Sequence, residues 1–343
     1  MGNVKKATYG NFVLKGIVTG VSREGAFTEG QKDGGNPWKK VQFSIKTSKT
    51  DFVHVELLGS KSKEVQFVYR DPSEGKRDFS KTLKVKWTDR YKERTDDYEI
   101  QNTIKVGLER DEDGKKKKEN KTLVPYDAVE YIKKYLKDGE SVFIRGRIEI
   151  TEYNGKAPEI FKIQQIYVTN DLINLDADNF IKEASFDQEI VFVDCENEDN
   201  DTGKTFINTY IIYKKDNELR HVPYKFAIDS KKYEGDKEKY SSLQKLIQSF
   251  QKLTFGSTIR VSGNINFGVV LGREEETGDD FGGFAPEGQD NYVIKDYIKE
   301  LEITKGDGST LKRDYYTERD FEYQTNPFES EELFEDDSED LPF

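Results

Sequence analysis

The sequence predicts a mainly β protein: two five-stranded Greek-key barrels in tandem, followed by a disordered acidic tail. Three observations carry this expectation. Short stretches alternate apolar and polar residues with the period of two that a half-buried strand requires. A block of helix, glycine, six residues, glycine and strand occurs twice, at Gly139–Gly146 and at Gly256–Gly263. Apolar periodicity stops near Lys305, and residues 329–343 hold eight acids and no base, a composition that cannot bury a core.

In the first half, Phe12–Val21, Lys39–Ser48 and Asp51–Leu58 read as strands. In the third of these, Val53, Val55 and Leu57 share one face, while Phe52, His54, Glu56 and Leu58 share the other. Residues 60–124 form a long polar stretch, with strands expected near Ser80–Thr88 and Tyr98–Leu108 and a lysine run at Lys115–Lys118. Pro125 starts a helix through Lys137, with Gly139 just past its end. Strands Ser141–Tyr153 and Pro158–Thr169 follow, joined by the turn Asn154-Gly155. In the second half the helix spans about Tyr240–Leu253, and Ile298–Ile303 closes the copy as Ile163–Val168 closes the first. Three strands, a helix and two further strands is the element order of the OB fold. The expected domains are 1–170, carrying an insertion at about 60–124, then 171–308, then the tail 309–343.

Charge divides along the same line. The 343 residues carry 54 Lys/Arg against 66 Asp/Glu, a net charge of -12. Residues 1–170 hold 34 against 26, or +8, and residues 171–343 hold 20 against 40, or -20. A basic binding part joined to an acidic part fits this asymmetry. One Cys and two His exclude a disulfide framework and a typical structural zinc site, so neither metal nor cofactor is expected. No apolar run approaches the roughly 20 residues of a membrane span, and the N-terminus lacks a signal-peptide stretch, so a cytoplasmic protein away from membranes is expected. Gly203-Lys204-Thr205 lacks the upstream glycine of a phosphate loop, since residue 198 is Glu. Asp199 and Asp201 miss the spacing of a calcium loop. His54, His221 and Cys195 stand far apart in the chain, and no nucleophile–base set emerges. A non-enzyme is expected.

The first half resembles the bacterial single-stranded DNA-binding protein family. The resemblance rests on Val13-Leu14-Lys15-Gly16, Phe43–Ser48, Thr50–Gly59 and Tyr135–Tyr153. The extreme C-terminus, Asp336-Asp337-Ser338-Glu339-Asp340-Leu341-Pro342-Phe343, is similar to the family's acidic tip ending in Pro-Phe. By this resemblance Phe52 and Tyr153 stand where the family has stacking tryptophans, and Leu58 where it has a Phe. It implies sequence-independent binding and protection of single-stranded DNA in replication, recombination or repair. It also implies that the tip, with Asp336, Asp337, Asp340, Leu341, Pro342 and Phe343, recruits partner proteins: an aromatic anchor, a free carboxylate and a steering charge suit a basic-rimmed apolar pocket. The chain departs from the family in its near-adjacent Ser48 and Asp51, its insertion of about 65 residues and its second half. Tandem barrels favour a monomer or homodimer over a tetramer, and the enlarged, divergent form suits a phage or mobile element in a bacterial cell.

Single strands are held by aromatic faces and by cations that follow phosphates. Further candidates meet that description. Trp38 stands beside Lys39 and Lys40 at the end of the loop Arg23–Asn36, and His54 shares its strand face with Phe52. The insertion interleaves Phe79, Lys84, Lys86, Trp87, Arg90 and Tyr91 with Arg77, Lys81, Lys92 and Arg94. Arg145 and Arg147 share one strand face. The competing readings are an adaptor that uses both barrels for protein contacts and touches DNA weakly, and a nuclease or annealing enzyme.

Overall fold

The computed structural model describes residues 4–31, 35–92, 97–177, 179–196, 202–273 and 292–322, with backbone alone at 270–273 and 292–296. The first half begins with β1 (Gly10–Thr19), β2 (Phe27–Gln31), β3 (Pro37–Lys46) and β4 (Phe52–Ser60). The insertion supplies β5 (Glu64–Arg70), β6 (Arg77–Lys86), β7 (Tyr98–Ile100), β8 (Ile104–Gly107) and β9 (Lys121–Leu123). Helix α1 (Pro125–Tyr135), β10 (Ser141–Ile150) and β11 (Glu159–Val168) complete this half. The second half comprises β12 (Glu183–Cys195), β13 (Lys204–Lys215), β14 (Glu218–Asp229), α2 (Lys237–Phe250), β15 (Thr258–Arg273) and β16 (Tyr292–Lys312). The protein is mainly β.

Strand pairing closes each half into a ring. In the first, β1 pairs with β3, β3 with β4, β4 with β11, β11 with β10 and β10 with β1. Only the β4–β11 contact of this ring is parallel, with Phe161 opposite Val55. In the second, β12, β13, β14, β16 and β15 follow the same order, and β14–β16 is the parallel contact. Each ring has its helix between the third and fourth strands. Leu243, Ile247 and Phe250 of α2 are buried on one stripe, and Asp236 caps the helix by accepting from the Lys239 N–H.

The repeated glycines have a physical cause. Gly139 and Gly256 both adopt positive φ, 86° and 77°, just after the helix region. Their N–H groups donate to the equivalent carbonyls of Val18 and Phe192, at 2.9 Å each. Gly146 and Gly263 sit at bulges, where a Cβ would collide with the carbonyls of Lys162 and Glu302. The halves therefore share a duplicated plan, with residue i of β1 corresponding to residue i + 174 of β12.

The two rings join through β1 and β12, which pair antiparallel from Gly10 opposite Gln188 to Lys15 opposite Glu183. Phe12 lies directly opposite Phe186, its own counterpart in the repeat, so a local two-fold axis passes between them. Among the described residues thirteen strands form one sheet, and β6, β5 and β7 form a separate small sheet within the insertion. One hydrophobic core runs through both rings, and the Phe161 and Phe267 rings meet edge to face across the junction at 5.5 Å.

Two expectations are corrected here. The loop Arg23–Asn36 contains a short strand, β2, paired with β3. Order does not end at 308: β16 runs through Lys312, and Tyr316 (2% exposed) and Phe321 (6%) are buried further on. Their aromatic rings find partners on the outside of the second ring, which compensates for the polarity of the surrounding chain. The acidic tip and its Asp336, Asp337, Asp340, Leu341, Pro342 and Phe343 lie outside the described residues, as do residues 274–291.

Candidate nucleic-acid interface

The outer face of β3 and β4 is built by strict alternation. Val53 and Val55 are fully buried and Leu57 nearly so, which turns Phe52, His54, Glu56 and Leu58 outward. Phe52 is 40% exposed and Leu58 52%. Antiparallel pairing places Lys46 opposite Phe52, Ser44 opposite His54 and Lys40 opposite Leu58. The Lys46 Nζ lies 5.7 Å from the Phe52 ring centroid, so cation and aromatic face stand side by side. Partial burial, with Arg23 and then Lys40 adding positive charge, lowers the His54 imidazole below its ordinary 6.5. It is thus mainly neutral at pH 7 and offers a ring and a hydrogen-bonding edge rather than a charge.

The neighbouring lysines are partly committed. Lys40 pairs with Glu56 at 2.6 Å. Lys39 is ion-paired with Glu130 and with Glu29, and its Nζ lies 4.8 Å from the Tyr126 ring, tying β3 to α1. Trp38 is half-buried against Gly30 of β2, where a side chain would meet the indole.

Within the insertion the candidates separate into two groups. Phe79 (60% exposed), Lys84 and Lys86 project from β6, a strand whose buried apolar residue is Val85. Trp87, Arg90 and Tyr91 instead dock the insertion on α1. The Arg90 guanidinium stacks on both rings, 4.3 Å from Trp87 and 4.7 Å from Tyr91, and pairs with Asp127 at 2.7 Å. The Tyr91 hydroxyl donates to Asp127 and accepts from the Val124 N–H. Burial, reinforced by Asp127, pushes that phenol up to about 12, so it stays protonated. Beside this dock lies a groove of about 740 Å3, lined by Arg70, Arg77, Arg90, Lys92 and Lys105 against one carboxylate, Glu99. Tyr91 and Tyr98 also border it. Sequence reasoning did not single out Arg70, Tyr98 or Lys105. They lie in the short strands β5, β7 and β8: the pairing of β5 with β6 sets Arg70 opposite Arg77, and the pairing of β5 with β7 adds Tyr98 opposite Tyr69.

Arg145 and Arg147 belong to another surface. Register aligns Arg145 with Val13 and Ser185, and Arg147 with Asn11 and Asp187, across the sheet that joins the rings. Tyr153 is 68% exposed at the β10–β11 hairpin, whose Asn154 and Gly155 take the positive φ of a primed turn.

The equivalent face of the second ring differs. The position corresponding to Phe52 is Pro223, which pairs with Tyr210 as Phe52 pairs with Lys46. The end of this face around Tyr210 and His221 is covered by the chain's own C-terminal segment, whereas Pro223 and Lys225 stay exposed. Phe321 stacks on Tyr210 at 4.6 Å and 25°, and Tyr316 packs beside it, leaving Ile212 and Val191 fully buried. Behind the ring, Glu302 is 1% exposed and satisfied by Lys232, Tyr233, Asn264 and Asn266. Those partners hold its carboxyl below the ordinary 4.5 against the opposing effect of burial. Among the described residues no group of three or more His, Cys, Asp or Glu is placed to hold a metal ion, and no helix is long and apolar enough to cross a membrane.

Two sheet rings of one topology, joined through β1 and β12 and carrying an exposed aromatic and cationic face on the first ring, define the class: a duplicated β-ring protein. Residues 60–340 match the model of the YorF family, and the chain belongs to that family. No curated protein matches it. Among solved structures, the wild-type single-stranded DNA binding protein from Thermus aquaticus is similar at 10% identity and a TM-score of 0.34, over 82% of this chain and all of that one. So distant a likeness bears on neither fold nor function.

Proposed function

We propose that this protein binds single-stranded DNA without reading its sequence, through the outer face of β3 and β4, and that it is not an enzyme. One observation carries the reading: Phe52 and Leu58 lie exposed on an ordered strand face beside Lys46, Lys40 and Arg23, in the half of the chain with charge +8. An exposed Phe ring on a sheet needs a reason, and a base stacking on Phe52 while Leu58 packs beside it and phosphates follow the cations is the simplest one. The ring order, with its third and fifth strands parallel and a helix before the fourth, supports reading both halves as OB barrels, whose second and third strands serve as ligand faces. The -20 charge of the second half, and the aromatic segment packed over Tyr210, favour a scaffold role there.

The wider role we propose is protection of single strands in replication, recombination or repair in the cytoplasm of a bacterial or phage-infected cell, with the acidic tip recruiting partner proteins. The charge of the second half also supports an adaptor that uses both barrels for protein contacts. Titration of the full chain with labelled oligo-dT, oligo-U and duplex DNA of equal length decides between them. Tight binding of oligo-dT over duplex is expected; micromolar or weaker binding without preference for single strands favours the adaptor. Incubation with labelled oligonucleotide and magnesium should leave the substrate intact, and cleavage would contradict the non-enzyme reading.

A further inference from the structure

Resting on that reading, we infer that the insertion is a second binding segment: a strand leaving the β3–β4 face at Leu58 continues into the basic groove of the insertion. The two surfaces adjoin. A cleft of about 500 Å3 opens at Leu58, Gly59 and Ser60, where β4 ends, and is lined beyond them by Gln66, Trp87 and Gln101, with Glu64 its one acid. Ile100 lines both this cleft and the 740 Å3 groove. The path therefore runs from an apolar, aromatic floor to a cationic one without crossing the acidic half.

The groove has the chemistry of a phosphodiester backbone rather than of a small neutral ligand. Five cations and one carboxylate line it; Arg90 is paired with Asp127 and Lys92 with Asp89 outside the lining, which leaves Arg70, Arg77 and Lys105 against Glu99. That carboxylate, Glu99, bridges two guanidiniums: it accepts from Arg70 at 3.2 Å and is ion-paired with Arg77. Arg77 is steadied further by donating to the Gln101 carbonyl at 3.1 Å. One acid shared by two arginines holds both in place and leaves a net positive charge, so little side-chain freedom remains to be lost on binding phosphate. Tyr98 packs edge to face on Tyr69 at 5.6 Å, and with Tyr91 it supplies aromatic surface at the groove's border.

The test compares oligo-dT of about 6 nucleotides, within the roughly 4–16 that one OB barrel covers, with oligo-dT of about 25, by fluorescence anisotropy on the full chain. The unaltered protein should bind the longer strand more tightly than its extra length alone provides. The neutralising double variant Arg77→Gln/Lys105→Gln should hold the short strand within about twofold, yet lose roughly tenfold on the long one. Its salt dependence on the long strand should flatten by about 1.4 in log–log slope, two phosphate contacts at about 0.7 each. Lys105→Glu alone leaves the Glu99 bridge untouched and should show the same selective loss. If both variants bind the long strand as the unaltered protein does, the groove is not part of the path, although the β3–β4 reading stands. If the unaltered protein binds neither length, both fall together.

Discussion

Replacing Phe52 with Ala separates a binding ring from a structural one, because two phenylalanines on paired strands face opposite ways. Phe43 lies on β3, opposite Val55, and is fully buried, whereas Phe52 is 40% exposed on β4. Truncating Phe43 should destabilise the fold by about 3–5 kcal/mol, as deletion of a core ring does. Truncating Phe52 removes a ring whose outer side already faces water and which leaves no enclosed cavity, so stability should fall by no more than about 1 kcal/mol. Its cost should appear instead in oligo-dT binding, where a lost stack costs about 1–3 kcal/mol. At 1.4 kcal/mol per tenfold, that is a rise in Kd of about 5- to 150-fold. Chemical denaturation and anisotropy titration on the same preparations measure both quantities. Phe52→Trp should keep or improve binding. A Phe52→Ala protein with unchanged Kd, or with the stability loss of Phe43→Ala, would make Phe52 a packing residue and refute the reasoning.

Three further outcomes are expected. Phe321→Ala, which removes a 6%-exposed ring packed on Tyr210 of the second ring, should lower stability by about 3–5 kcal/mol in denaturant melts; a change below 1 kcal/mol would mean the segment is not anchored there. Glu302, whose folded pKa lies below 4.5, stabilises the fold fully above its unfolded value, and that contribution is lost as pH falls through the folded one. The stability gap between the unaltered protein and Glu302→Gln should therefore be constant from about pH 6 to 8 and shrink below 4.5, whereas a gap that widens in acid would reverse the assigned sign. Deleting 329–343 removes eight acids and should tighten oligo-dT binding slightly at low salt, while Phe343→Ala keeps every acid and should abolish only partner pull-down; weaker DNA binding on deletion, or unchanged pull-down by Phe343→Ala, would show the tail misread.

The parts of the fold legible in the sequence are those governed by local rules. β1, β3 and β4 show clean alternation, β10 and β11 show it on either side of one bulge, and α1 starts at Pro125 with Gly139 shortly beyond its end. The duplicated glycines were visible as spacing, since two left-handed turns and two bulges without room for a Cβ admit little else. Elements made by distant partners were not visible. β2 reads as a loop because Gly30 breaks its pattern, and it is ordered by Trp38 lying over that glycine. β5 is bulged between Val68 and Tyr69, which spoils its alternation. Tyr315, Tyr316 and Phe321 stand in a polar run whose apolar partners, Tyr210 and Ile212, lie a hundred residues away. For the site, the outward direction of Phe52 and His54 followed from period two alone. The commitment of Lys39 to Glu29 and Glu130 required the packing of β3 against β2 and α1. Composition finds cations; register decides which are already paired.

The central claim, that single strands lie on the β3–β4 face, is tested most directly by photocrosslinking the full chain to bromodeoxyuridine-substituted oligo-dT and mapping the attached peptides. Cross-links are predicted at Phe52 and His54, competed by unlabelled oligo-dT and not by duplex. Cross-links confined to the second half around Tyr210–Pro223, or equally well competed by duplex, would contradict it.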